Sequence, residues 1–266
     1  MAATAGLTTD VLAPLAGLLA ETHPGAYSAG LRLPGPPPAP WRPAADLTDP
    51  TGLDAVLGTV MAECGAERHV AGALLWKTYT HRAVPPVVLG WALNRRVPLA
   101  TADATAVRPG PGDNRLSVAL VDPPVAVLPG DPLAGAPGTV TLPDEHALLA
   151  VAGATLLGGH LAPALDTLAA CTRLGHRPLW GSVAESVVHP LLVAAPALAP
   201  DPVAAVRRLL ACFGRGLAAL VDLAPTPGGT PYRRNTCCLA FTARHDFCAT
   251  CCIPRVTGRP APPGRG

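Results

Sequence analysis

Apolar residues recur at steps of three and four along much of this chain, and the pattern divides into a series of helices. The plainest run is Leu53, Val56, Leu57, Val60, Met61 and Cys64, which share one face of a helix. Thr51 and Asp54 are expected to cap its start and Gly65 to end it. A short helix over 7–20 precedes it. Another, from about Glu67 to Ala83, is expected to stop at Pro85 and Pro86, and a third ends near Arg95–Arg96. Helices resume over about 144–157, over 161–174 after Gly158–Gly159, and over 182–192. The last is expected to run from Pro202, behind the capping Asp201, to about Asp222, with Val203, Val206, Leu210, Phe213, Leu217 and Leu220 as its packing stripe.

The period shortens over 115–128, where Val118, Leu120, Val125 and Val127 flank Asp-Pro-Pro; this reads as two short strands around a turn. The proline-rich stretch 33–43 is expected to be an extended connector, and 131–143 a loop. The fold class expected is mainly α with a small antiparallel β-element (α+β). A helical domain covers 1–222, a cysteine-rich segment covers 231–253, and a tail over 254–266 is expected to be disordered.

Composition narrows the functions. Hydrophobic residues make up 49% of the 266, enough for a sizeable core, and the net charge is only +2. No basic stripe is present, so nucleic acid is not an expected partner. The N-terminus lacks a positive n-region and carries Asp10 inside its apolar stretch, unlike a signal peptide. The longest uncharged run, Ala147–Leu165, is interrupted by Gly153, Gly158, Gly159, His160 and Pro163, so no stable membrane insertion is expected. The reading is a cytoplasmic protein, which leaves room for transient contact at the inner membrane. Eight cysteines in a reducing compartment point to metal or redox work before structural disulfides.

The chemistry concentrates at the C-terminus. Cys237, Cys238, Cys248, Cys251 and Cys252 fall within 16 residues as C-C-x9-C-x2-C-C. Cys248 and Cys251 have the spacing with which two thiolates grip one metal from a tight turn, and the adjacent Cys237–Cys238 can supply two more. Four thiolates suit an iron–sulfur cluster or a structural zinc, and the spacing leaves both open. His245, between the pairs, is a candidate substitute ligand. Arg233 and Arg234 just upstream would favour the reduced state of an anionic cluster and attract an anionic chelate.

At these residues the chain resembles the ferric siderophore reductase family, the FhuF-like 2Fe–2S proteins. The resemblance is carried by YRRNTCCLAFTARHDFCATC, and more loosely by LLWKTYTHRAVPPVVLGWALNRRVPL (74–99) and HRPLWGSVAES (176–186). By matching position it implies Cys237, Cys238, Cys248 and Cys251 as ligands of a 2Fe–2S cluster. Two features depart from the pattern: the gap between Cys238 and Cys248 is nine residues, one short of the usual ten, and Cys252 is an extra thiol, the alternate ligand to Cys251, whose use would give the poorer match CxxxC. The resemblance implies one-electron reduction of Fe(III) in an imported siderophore, which releases Fe(II). No Rossmann fingerprint, Walker loop or nucleophile elbow is present, so electrons are expected from a separate reductase or ferredoxin-like donor.

Two other readings stand beside this one: a zinc-stapled module that binds a ligand or partner, and a 2Fe–2S electron carrier without siderophore reductase activity. Trp76, Lys77, Tyr79 and Trp180 are candidates to line a siderophore site, although Trp76 and Trp180 also suit core anchors. Cys64 and Cys171 are expected to be core thiols, and Cys212 a partly exposed one near Arg208 and Arg215. His160, His176 and His189 show no metal-binding spacing.

Overall fold

The computed structural model describes residues 4–23, 32–33, 39–110, 116–226, 229–243 and 248–253. The expected disordered tail and His245 lie outside them.

The fold is mainly helical with small sheets. Helices α1 (Thr4–Thr22), α2 (Pro50–Cys64), α3 (Arg68–Ala83) and α4 (Pro85–Asn94) form the first half. In the second half come α5 (Glu145–Gly153), α6 (Ala162–Thr172), α7 (His176–His189) and α8 (Pro202–Phe213). The strands are β1 (Arg32–Leu33), β2 (Arg42–Pro43), β3 (Val97–Pro98), β4 (Thr105–Pro109), β5 (Leu116–Val121), β6 (Val125–Val127), β7 (Thr139–Thr141), β8 (Val221–Asp222) and β9 (Arg233–Arg234). They form sheets of order β1-β5-β4-β2, β3-β6-β7 and β8-β9. Most pairings are antiparallel; β1–β5 and β6–β7 are parallel.

Local chemistry explains where the elements differ from the periodic reading. The cap of α2 is Asp49, whose carboxylate accepts from Gly52 N–H at 2.8 Å with Pro50 in the first turn. Thr51 is therefore inside the helix, and Asp54 instead pairs with Arg68. Pro85 and Pro86 open α4 rather than merely ending α3, because the first turn of a helix has no hydrogen bond for proline to break. Gly158–Gly159 do not break the chain direction: Ala154–Leu161 continues α5 into α6 as a π-helical stretch. Helix α7 starts six residues earlier than expected and continues into a second π-helical turn at Pro190–Ala194. Helix α8 ends at Phe213, where Gly214 and Gly216 adopt positive φ of 66° and 68°. The last two members of its expected stripe, Leu217 and Leu220, remain buried through a 3-10 turn, and Val221–Asp222 is strand β8.

The strands β5 and β6 are not hairpin partners. Asp122 takes a positive φ of 44° between them, and the chain crosses from the sheet of β4 to that of β3 and β7. Strand β7 falls within the expected 131–143 loop.

One helix, Glu145–Thr172, is long and apolar enough to cross a membrane by length and composition, but 61% of its apolar window is buried inside the protein. Leu148, Leu156, Leu161 and Leu165 on it are fully enclosed by the core. Truncation of one such side chain leaves a cavity, so Leu161→Ala is expected to lower stability by about 2–5 kcal/mol, read from the urea midpoint. A shift below about 0.5 kcal/mol would show that this helix is not packed in the core.

Candidate metal centre

Two helices build the floor of the cysteine-rich segment. Helices α3 and α7 are joined where Trp76 Nε1–H donates to the carbonyl of Leu179 at 2.9 Å, both groups buried. Further along α7, Ser182 and Glu185 point into the protein and are themselves buried. A carboxylate there would be costly without partners, and its partners come from the cysteine segment.

Strand β9 brings them. It pairs antiparallel with β8, Arg234 opposite Val221, and Asn235 N–H donates to Leu220 O at 2.8 Å. Arg234 is 1% exposed, with Nη1 2.5 Å from Glu185 Oε2 and Nη2 3.2 Å from Ser182 Oγ. Its backbone N–H donates to Thr250 O at 2.9 Å, and the Thr250 hydroxyl donates to Glu185 Oε1 at 2.9 Å. One buried carboxylate thus holds the approach to Cys237–Cys238 and the turn between Cys248 and Cys251. Burial works against the charge on Glu185. The approach of His81 Nε2 at 3.3 Å and the charges of Arg234, His81 and Lys77 outweigh it and hold the carboxyl well below its usual range. Thr236 sits directly on Gly181, where a Cβ would overlap the threonine side chain. Glycine at that point of α7 lets the Cys237 turn come down onto the helix.

The sulfurs follow. Cys238 and Cys248 act strongly on each other across the two halves of the motif. The neighbouring Cys248, then Lys77, the Ala240 N–H and Arg234, overcome burial and draw Cys238 down, while the neighbouring Cys238 and burial push Cys248 up. Lys77 Nζ lies 4.0 Å from Cys238 Sγ.

Two of the sulfurs accept backbone N–H groups two residues further along: Leu239 N–H reaches Cys237 Sγ at 3.3 Å and Ile253 N–H reaches Cys251 Sγ at 3.5 Å. The Ala240 N–H favours thiolate at Cys238, and the Thr250 hydroxyl, committed to Glu185, lies 3.9 Å from Cys248 Sγ. Cys251 N–H closes the turn onto Cys248 O at 3.1 Å. Donors aimed at sulfur favour thiolate and are the kind of outer contact that tunes a metal–sulfur centre. Cys252 is set apart: burial, then the charges of Cys251 and Cys237, push its thiol up. Among the described residues, no three cysteine, histidine or acidic side chains form a common metal-ligand geometry. The donor set nevertheless fits a thiolate-bound group in kind. Two sulfurs come from each arm, and the Lys77 ammonium stands beside Cys238.

A cavity of about 430 Å³ opens beside this point. Lys77, His81, Glu185, His189, Tyr232 and Cys248 contribute to its wall. The His189 ring packs on His81 with centroids 5.6 Å apart, and burial followed by the charge of His81 lowers its basicity.

The other sequence candidates are placed as follows. Arg233 is exposed and 3.9 Å from Asp222, whereas Arg234 is the buried partner of Glu185, so the two arginines do not act as a pair. Trp76 and Tyr79 are core residues; Trp180 is half-buried beneath the Arg215 guanidinium, 5.0 Å from its ring. Lys77 alone of that group reaches both the cavity and a cysteine. Cys64, Cys171 and Cys212 are partly buried against the core. His160 is fully enclosed between Tyr79 and Ala100 O, His176 faces Asp166 at 3.5 Å, and His189 lines the cavity.

Sequence reasoning missed Glu185, Ser182, Thr250, Gly181 and His81. Glu185 carried a usable signal, an acid inside the apolar stretch Val183–Val188. Lys77 carried a stronger one: it is the single lysine among 20 lysines and arginines.

The chain matches no protein-family model, and no curated protein matches it.

Two substitutions test the floor of the centre. Glu185→Gln leaves Arg234 buried without its counter-charge, an expected loss of about 3–5 kcal/mol. The folded carboxyl titrates below its unfolded value of 4.5. Its stabilisation is therefore fully present above that pH and is lost as pH falls toward the folded value. Wild type should lose stability more steeply than Glu185→Gln below about pH 5; equal slopes in urea titrations would show that the pair is not formed. Gly181→Ala, which displaces Thr236, is expected to cost about 1–3 kcal/mol and to alter the reactivity of Cys237 toward a thiol reagent.

Proposed function

We propose that the chain holds a 2Fe–2S cluster on Cys237, Cys238, Cys248 and Cys251 and reduces Fe(III) in imported ferric siderophores, in the cytoplasm. The observation that carries this reading is the buried Glu185–Arg234–Thr250 network that brings the two cysteine arms together, with backbone N–H groups on Cys237 and Cys251 and Lys77 beside Cys238. Such a group would supply a one-electron redox step. One electron oxidises the centre and reduces Fe(III), and Fe(II) is held far more weakly by hard hydroxamate or catecholate oxygens. No Rossmann or Walker motif accompanies the cysteines, so a separate reductase or ferredoxin-like protein is the proposed donor.

The chain's own residues do the remaining work. Glu185, Arg234 and Thr250 hold the two cysteine arms together. Arg234 acts as half of a neutral pair, so the cation standing beside Cys238 is Lys77. N–H donors and this ammonium stabilise negative charge on sulfur, which favours the reduced state. The cavity with Cys248 in its wall offers the acceptor a place within reach of the centre. The three segments that carry the resemblance meet here, through Trp76 with Leu179 and Glu185 with Arg234.

The test is a series of single serine substitutions at the five C-terminal cysteines, with ferric chelates offered to dithionite-reduced protein and Fe(II) trapped by a colorimetric chelator. Serine at Cys237, Cys238, Cys248 or Cys251 should abolish cluster loading and Fe(II) release, while Cys252→Ser should retain both. Failure of cluster-loaded wild type to release Fe(II) from any hydroxamate or catecholate chelate would sink the reductase reading. Loss of the cluster in Cys252→Ser with retention in Cys251→Ser would reassign the ligand.

A further inference from the structure

Lysine is almost absent from this protein. Nineteen of its 20 strongly basic residues are arginine, and Lys77 is the exception. Lys77 is thus the one position where an ammonium stands in place of the guanidinium used at every other strongly basic site. Lysine offers a compact point charge with three rotatable donors on an unbranched stem, and arginine a rigid planar fork.

The position is specific. Lys77, on α3, lines the wall of the 430 Å³ cavity, and its Nζ lies 4.0 Å from Cys238 Sγ. Among the described residues Nζ has no carboxylate within ion-pair distance; Glu185, the nearby acid, is engaged by Arg234 and the Thr250 hydroxyl. An ammonium that spends one donor on a cysteine sulfur keeps two for something in the cavity. The cavity is at the lower end of the range for a drug-sized ligand, enough for one limb of a chelate whose remainder stays outside. The groups on such a limb that an ammonium recognises are the metal-bound oxygens, which carry negative charge.

We propose that Lys77 is a catalytic contact between the centre and its acceptor: its ammonium donates to a ligand oxygen of the ferric chelate seated in the cavity while it remains beside Cys238. This rests on the function proposed above. No covalent bond is made or broken at Lys77. The electron passes from the reduced centre to Fe(III), and the ammonium keeps its proton throughout. The contact fixes the acceptor's distance from Cys238, and its charge offsets the repulsion between an anionic centre and anionic oxygens.

The test compares wild type with K77M and K77R, each loaded with its cluster and matched by visible absorption. The probes are gallium(III) complexes of a trihydroxamate and a tricatecholate chelator, which share the charge of the ferric complexes and cannot be reduced. Wild type is expected to bind at least one of them. K77M should bind it about 10- to 100-fold more weakly, the value of a charge-assisted hydrogen bond, and K77R should fall short of wild type by several-fold. K77M should also raise KM for the matching ferric chelate. Equal gallium-chelate binding by wild type and K77M would overturn the proposal, even if K77M lowers the cluster's reduction potential, because Lys77 would then only tune the centre. Full binding by K77R would overturn it too, since the single-lysine argument requires that arginine not serve. Ferric reduction by wild type alongside either result leaves the proposed function standing, whereas failure of wild type to reduce any ferric chelate removes both.

Discussion

The ion pair between Arg234 and Glu185 is the constraint on which the cysteine centre depends. Both side chains are almost completely removed from water. Two charges in that position are tolerable only when each satisfies the other and most of the remaining donors and acceptors find partners. Ser182 takes one guanidinium nitrogen, Thr250 uses the second carboxylate oxygen, and His81 approaches the first. The pair therefore acts as a register pin. It allows the cysteine arms one seating on α7, because any slip of β9 would leave a charge buried without its partner. The main-chain bond from Arg234 to Thr250 extends the same register to the second arm.

From this pin the arrangement of sulfurs follows. The Cys237–Cys238 arm descends onto α7 where Gly181 leaves space, and the Cys248–Cys251 turn is tied by Thr250 to the same carboxylate. Cys238 and Cys248 meet between them. Because Arg234 is neutralised by Glu185, the electrostatic character of the site is set by Lys77, which stands on the opposite side on α3. Helices α3 and α7 contribute one cation, one anion and the wall of a cavity, and the C-terminal segment contributes sulfur and one more cation.

How much of this was legible in the sequence depends on the range of the interaction. The helices were legible because their stripes are local: Leu53 to Val60 repeat within a single element, and the structure buries them. Caps and breaks were less so. Asp49 precedes the periodic run and was missed in favour of Thr51 and Asp54, and Pro85–Pro86 read as a stop although the same residues start α4. The strands 116–121 and 125–127 were legible, but their partners were not, since pairing with β4, β3 and β7 is decided by tertiary packing. The cysteines mark a candidate metal or redox site through spacing alone. Their support did not, because Glu185 lies 49 residues from Arg234 and 65 from Thr250, and nothing local records those contacts. Arg233 and Arg234 look equivalent in sequence. Strand alternation sends one outward and the other into the core.

The most direct measurement is the absorbance spectrum of anaerobically purified protein before and after dithionite, with iron, sulfide and zinc assayed on the same sample. Visible bands that bleach on reduction, with about two irons and two sulfides per chain, are the expected result. A colourless protein carrying one zinc and no sulfide would contradict the redox centre and leave the cysteines a structural staple.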